Sequence, residues 1–227
     1  MRLLALDTST WWGGAALLEG TEGAARVVAE IGLWVEDSHA SRILPLVEAV
    51  LALASWPRNS LDAYAAVRGP GSFTGLRVAL GVMRGLALAT ARPCLGVGTL
   101  DAMADAHGPA AVDRVPLLDA GRGEVYGARF DPEGHPPRAL EAPWVGAPER
   151  AVGAGRNGIV FGSGAECHAL RLREAGYTGP IGRQPSAVAS AAGRIALARL
   201  ARIGSGEAEP ELAPLYVRPP DAELKAR

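Results

Sequence analysis

Leu3-Leu4-Ala5-Leu6-Asp7-Thr8-Ser9, then Trp11-Trp12-Gly13-Gly14, then Ala15-Ala16-Leu17-Leu18, sets two short apolar runs on either side of a glycine-bearing turn. Runs of this length and punctuation read as the strands of a hairpin. Ala25 to Ile31 alternates well enough to add a third, antiparallel strand. Beyond it, Ala40, Ile43, Leu44, Val47, Val50, Leu51 and Ala54 recur at helical spacing, which predicts a helix over Ser38 to Ser55. Asp37 or Ser38 is placed to cap it. Pro45 removes one backbone hydrogen bond and should bend the helix or confine its regular part to the later turns, and of these a kink is expected.

Further along, Ala63 to Val67 reads as a short buried strand, Leu76 to Ala89 as a second helix, and Cys94 to Val97 as another strand. The order strand, strand, strand, helix, strand, helix, strand is that of a ribonuclease-H-like unit, in which helices cover a mixed sheet. Val115 to Asp119, an Ala120-Gly121-Arg122-Gly123 turn and a returning run from Glu124 to Phe130 repeat the opening pattern, so two lobes of common architecture are expected. Ile159-Val160-Phe161 supplies a further strand and Ser186 to Arg202 an alanine-rich helix. The expected division is an N-terminal lobe over residues 1–100 and a C-terminal lobe over 101–203. The tail, 204–227, is spaced by prolines and should run extended, back onto the first lobe.

Composition narrows the function. With 48% hydrophobic and 21% charged residues the chain is too apolar to be disordered. A formal net charge of -1 without a lysine or arginine block disfavours direct binding to a nucleic-acid backbone. Cys94 and Cys167, far apart, suggest no disulfide framework and fit a reducing compartment, so the cytoplasm is expected. Met1-Arg2 and the four apolar residues before Asp7 are too short for a signal-peptide core, and no apolar run approaches the ~20 residues of a membrane span.

Asp7, with Thr8 and Ser9, ends the first strand, and Asp119 holds the equivalent place in the second half. Two such carboxylates would suit magnesium held near a nucleotide. Equally, an Asp at a strand end accepts hydrogen bonds from the turn amides beside it. The loop Gly69, Pro70, Gly71, Ser72, Phe73, Thr74, Gly75 precedes a helix and could aim amides at an anion, but it lacks the Gly-Lys-Ser/Thr ending of a phosphate loop and the spacing of a nucleophile elbow. Capping is the expected task of Ser72 and Thr74. Gly162-Ser163-Gly164 reads as a strand-to-helix turn. His39, His107, His135 and His168 offer no pair at helical spacing, so a metal site built on one helix is excluded, and no catalytic residue is assigned.

The second helix is apolar on two sides: Leu76, Ala79, Leu80, Met83 and Ala87 form one stripe, Val78, Val82 and Ala89 another. Gly81 and Gly85 allow close approach of another backbone, at roughly 1 kcal/mol each in helix propensity. Such a helix is either buried wholly in its own lobe or shared between the sheet and a partner. Leu46, Ala49 and Leu53 give the first helix the same two-sided character.

The opening Leu-Ala-Leu-Asp-Thr-Ser-Thr, Ser38-His39 with Leu44-Pro45, and above all Gly69-Pro-Gly-Ser-Phe-Thr-Gly-Leu-Arg77 resemble the bacterial TsaB family, also called YeaZ. Asp119-Ala-Gly-Arg with Glu124-Val-Tyr126, and Pro214-Leu-Tyr-Val-Arg218, extend the resemblance over nearly the whole chain. Gly121 stands where the family motif often has Arg. The resemblance implies a two-lobed actin-like ATPase (ASKHA) fold. It also implies a paralogue of TsaD, the subunit that transfers a threonylcarbamoyl group to the adenosine next to the anticodon of certain transfer RNAs. TsaD-like chains carry a His-x-x-x-His metal motif, absent here, so a non-catalytic partner of TsaD is implied.

On the same implication, dimerisation uses the two N-lobe helices, with His39, Arg42, Ile43, Leu46, Val47 and Val50 on the first and Arg77, Leu80, Gly81, Arg84 and Leu88 on the second. The ATPase TsaE joins the pair, transfer RNA is met only through the complex, and a homodimer forms through the same surface when the partner is absent. No tightly bound cofactor is expected, ATP or ADP with magnesium being admitted only in the assembled complex, with Asp7, Thr8, Ser9 and Asp119 the vestige of a nucleotide site. The rival reading is a stand-alone magnesium-dependent ATPase or small-molecule kinase using Asp7 and Asp119; a glycoprotease, lacking a nucleophile or metal motif, comes last.

Overall fold

Leu3 to Leu6 and Ala15 to Leu18 are fully enclosed, and they form the centre of a five-stranded sheet. In the computed structural model, which describes residues 1–20, 24–36, 39–154, 158–186, 188–203 and 212–218, β1 (Arg2–Asp7) and β2 (Trp12–Glu19) make the predicted hairpin, Leu3 opposite Leu18. β3 (Arg26–Trp34) adds antiparallel to β2. β4 (Ala63–Gly69) and β5 (Cys94–Gly98) add in parallel on the other side, giving the order β3-β2-β1-β4-β5.

A second sheet is built from β6 (Arg114–Gly121), β7 (Glu124–Gly127), β8 (Trp144–Gly146), β9 (Ile159–Phe161) and β10 (Ile181–Gly182). Its order, β8-β7-β6-β9-β10, and its pairing senses repeat the first: an antiparallel meander, then two parallel strands beside the opening one. The weak repeat in the sequence is therefore a repeat of topology.

Both faces of the first sheet are apolar because both are covered. Leu4, Leu6, Ala15, Leu17 and Tyr64 pack under α1 (Ile43–Ala54) and α2 (Phe73–Thr90). Leu3, Ala5, Ala16, Leu18 and Val67 face α3 (Thr99–His107). The outer face of the second sheet carries α4 (Arg150–Ala154), α5 (Ser163–Cys167) and α6 (Ala169–Glu174) through Ala151, Ala165 and Leu172. The alanine-rich α7 (Val188–Ile203), the last element of the 101–203 segment, packs on the first sheet beside α3. Its small residues permit a close approach: a Cβ added to Gly193 would lie 2.2 Å from Leu18 Cδ1. Leu118, Phe130 and Phe161 of the second half close the same core, so α3 and α7 form the layer shared by the two sheets.

Two local expectations need correction. Pro45 produces no kink, because α1 starts at Ile43 after a 3-10 turn, His39–Ser41, and the proline falls in the first turn, where its missing N–H has no intrahelical acceptor. The helix is accordingly regular, its N-cap is Arg42 without a side-chain cap, and the predicted caps Asp37 and Ser38 lie outside the described residues. Secondly, α2 is, among the described residues, long and apolar enough by length and composition to cross a membrane, a match the sequence reading did not make. Here its inner stripe is part of the core.

Candidate functional site

The glycine loop leaves β4 at Gly69, whose φ of +117° favours glycine, and Ser72 caps α2 by accepting from the Gly75 N–H at 3.2 Å. Its other glycines have a different purpose. A Cβ at Gly71 would lie 2.3 Å from the Ser9 carbonyl, and one at Gly75 would lie 2.0 Å from the Thr8 carbonyl. The absent side chains let the loop seat directly on the turn after β1. Two hydrogen bonds close the joint: the Ser72 N–H donates to the Ser9 carbonyl at 2.7 Å and Thr8 Oγ1 to the Gly75 carbonyl at 2.7 Å.

The Ser72 N–H is thereby committed to the Ser9 carbonyl and the Gly75 N–H to Ser72 Oγ. Asp7 is buried, and its carboxylate accepts from the Ser9 N–H at 2.8 Å. Ser9 Oγ is enclosed without a partner, but Gly71 stands against it, a Cβ there reaching Ser9 Cβ at 3.0 Å. In the second half, Asp119 is exposed and accepts from the Gly121 N–H at 3.1 Å. Arg122 and Gly123 make the tight turn beyond it with φ of +58° and +75°. Both carboxylates thus take turn amides. Among the described residues no group of three or more His, Cys, Asp and Glu gathers as metal ligands.

The two helices on the outer side of the first sheet present a mixed face. From α2, Arg77, Gly81, Arg84, Gly85 and Leu88 point outward, and a Cβ at Gly81 or Gly85 would have nothing within 4 Å. Leu88 is 76% exposed and Leu53 of α1 69%. Arg42, Leu44 and Ala49 are exposed and Leu46 half-buried on the α1 side. Four residues assigned to this face from the sequence do not lie on it: Ile43, Val47, Val50 and Leu80 are enclosed against the sheet in the cluster with Leu4, Leu17 and Met83. They support the face from beneath, since the stripe that meets the sheet is the more continuous of two apolar stripes. His39 belongs to the 3-10 turn before α1, and its side chain lies outside the described residues.

Phe73, read as a loop residue, is the first residue of α2 and half exposed; its ring stacks on Tyr216 with centroids 5.4 Å apart, and the Arg77 guanidinium lies over the Phe73 ring at 4.5 Å. The tail residues around Tyr216 thereby reach the first sheet, where the Leu215 N–H donates to the Arg68 carbonyl at 2.7 Å. Arg218 continues to the second half, pairing with Glu124 and donating to the Ala120 carbonyl at 2.8 Å. The sequence suggested an extended return but not the residues it would meet, which no local pattern encodes.

The family model for TsaD, tRNA N6-adenosine threonylcarbamoyltransferase, matches residues 34–168. The tRNA threonylcarbamoyladenosine biosynthesis protein TsaB of Escherichia coli is 37% identical over 132 residues, covering 57% of this chain and 55% of that protein. The chain thus spans about half the length of such curated relatives. The solved structure of YeaZ from Pseudomonas aeruginosa is 32% identical and superposes over 95% of this chain and 99% of that one, with a TM-score of 0.73. The activator of the 2-hydroxyisocaproyl-CoA dehydratase from Clostridium difficile, solved with bound ADPNP, is only 10% identical at a TM-score of 0.52 over 93% of this chain, a likeness of fold alone.

Proposed function

We propose, from the premise that this chain belongs to the TsaB (YeaZ) family, that it takes part in forming threonylcarbamoyladenosine in transfer RNA as a non-catalytic subunit that pairs with and activates a TsaD-like transferase. The observation that carries this reading is the outward face of α1 and α2: Leu53, Leu88, Gly81 and Gly85 are unpacked and set among Arg42, Arg77 and Arg84. Flat glycine-bearing helix surfaces let a second helix pair approach closely, and a specific contact of this kind buries about 1,000 Å² or more. On this reading a TsaE-like ATPase and the transfer RNA engage the assembled complex, in the cytoplasm, and a homodimer uses the same face when the partner is missing.

The glycine loop seated on the Thr8–Ser9 turn, and Asp7 and Asp119 each accepting an amide of its own turn, weigh against the chain acting alone as an ATPase or kinase, because both features already have a structural use. The decisive variant is Gly81→Arg. With open space around Gly81, the arginine should leave the far-ultraviolet circular dichroism spectrum unchanged while abolishing co-sedimentation with a TsaD-like subunit. A variant that still pairs with full affinity would remove this face from the account; one that unfolds would show that Gly81 is internal.

A further inference from the structure

Residues 212–218 form a strap across both halves, and its anchors lie on different elements. Leu212 packs against the core cluster beneath α1 and α2. The Leu215 N–H donates to the Arg68 carbonyl at 2.7 Å, and the Leu215 carbonyl lies so near Gly69 that a Cβ there would stand 2.6 Å from it. Arg218 then crosses to the second half, where it pairs with Glu124, donates to the Ala120 carbonyl at 2.8 Å and lies over the Tyr126 ring at 5.8 Å. The backbone on either side of Tyr216 is thus fixed, to the end of β4 before it and to the β6–β7 turn after it.

Held in this way, Tyr216 places its ring on the surface and not in the core. It is 41% exposed and stacks on Phe73, itself 49% exposed, with the ring planes 27° apart. Phe73 in turn carries Arg77. The two are spaced i, i+4 along α2, the distance at which helix side chains meet, and the guanidinium lies 4.5 Å from the Phe73 ring centroid. A row of three side chains, Tyr216, Phe73 and Arg77, therefore leads from the strap to the outward face of α2. A long exposed side chain samples many rotamers, and ordering it on association weakens binding. Arg77, stacked on a ring that is itself supported, is ordered before any partner arrives.

We propose that Tyr216 is a positioning residue for partner binding: acting through Phe73, it holds the Arg77 guanidinium in the orientation that meets an acceptor oxygen of the TsaD-like subunit. The proposal rests on the pairing reading above and deepens it, bringing the C-terminal strap into the control of a helix face to which it contributes no contact of its own.

The test measures the affinity of the full chain for a TsaD-like subunit by isothermal titration calorimetry, alongside the Arg77 Nε–H signal of the free ¹⁵N-labelled chain, identified by its loss in Arg77→Gln. Tyr216→Ala should weaken pairing about three- to tenfold and move that signal from its ring-shifted position toward those of freely exposed arginines. Tyr216→Phe, which keeps the stacked ring, should retain wild-type values of both. In an Arg77→Gln background, Tyr216→Ala should change the affinity by less than about twofold, a non-additivity that a general loss of stability would not produce. If Tyr216→Ala does not give a dispersed amide spectrum, Tyr216→Leu, which keeps an apolar seat but no flat ring, takes its place with the same expected losses. A wild-type chain that fails to pair would overturn the pairing reading and this proposal with it. Pairing by the wild type together with an unmoved Arg77 signal, an unchanged affinity in Tyr216→Ala, or additive losses in the double variant would overturn the proposal alone.

Discussion

Gly75 and Gly81 sit on the same helix, and a single added methyl group should have opposite consequences at the two positions. In a bare helix alanine is favoured over glycine by about 1 kcal/mol. At Gly81 nothing lies within 4 Å of the new Cβ, so that preference is realised in full. Gly81→Ala should therefore stabilise the chain by about 0.5–1 kcal/mol, a rise of roughly 1–4 °C in Tm for a domain of this size. At Gly75 the new Cβ would lie 2.0 Å from the Thr8 carbonyl oxygen, a backbone atom with nowhere to go. The loop and the β1–β2 turn must separate, which breaks the bonds from Thr8 Oγ1 to the Gly75 carbonyl and from the Ser72 N–H to the Ser9 carbonyl.

Buried groups left without partners cost about 1–3 kcal/mol each. After subtracting the helix gain, Gly75→Ala should destabilise by about 2–4 kcal/mol, lowering Tm by roughly 5–15 °C. Thermal and urea unfolding followed by circular dichroism on the two purified variants makes the comparison. Wild-type stability for Gly75→Ala would refute the argument that the loop is seated on the Asp7–Ser9 turn. Greater damage from Gly81→Ala than from Gly75→Ala would refute the assignment of inner and outer faces.

Arg114, 1% exposed, donates to the carbonyls of Asp131, Ala104, Gly108 and Gly134 and to the Asp131 carboxylate. Arg114→Met should cost about 3–5 kcal/mol in urea unfolding by orphaning those acceptors, and Arg114→Lys should recover only part of it, since a single ammonium cannot span the same fork. Asp101 predicts a pH dependence. Burial raises its pKa above the ordinary 3.8, outweighing the attraction of Arg199 and Arg68. The folded state then holds the proton more tightly than the unfolded state, so ionisation removes stability as pH rises from 3.8 through the raised folded value. Asp101→Asn should gain on the wild type over that interval and run parallel to it below. Urea midpoints collected from acidic to neutral pH that diverge in the other direction would contradict this.

The hairpin Leu3 to Leu18, the strand Ala63 to Val67 and the helix after Gly75 were legible because their apolar periods are clean and their ends are marked by glycine, proline or serine. The repeat of an apolar strand ending in Asp, at Asp7 and again at Asp119, each followed by a glycine-bearing turn, was enough to anticipate a second lobe. What the sequence withheld was tertiary. Both α1 and α2 are apolar on two sides, so spacing alone cannot say that Ile43, Val47, Val50 and Leu80 face the sheet while Leu53 and Leu88 face out. The short strands β8 and β10 have too few residues to show a period. Charge misleads at Arg114, which is polar by type yet among the most deeply enclosed side chains. Arg68, Asp101 and Arg199 come from β4, α3 and α7, and only the fold unites them; no motif in the chain joins them.

Threonylcarbamoyl transfer to unmodified transfer RNA, measured in the reconstituted pathway with this chain included, omitted, or supplied without the TsaD-like subunit, tests the central claim most directly. The account predicts transfer that requires this chain, never arises from it alone, and is lost with Gly81→Arg. Transfer that proceeds equally well in its absence would contradict it.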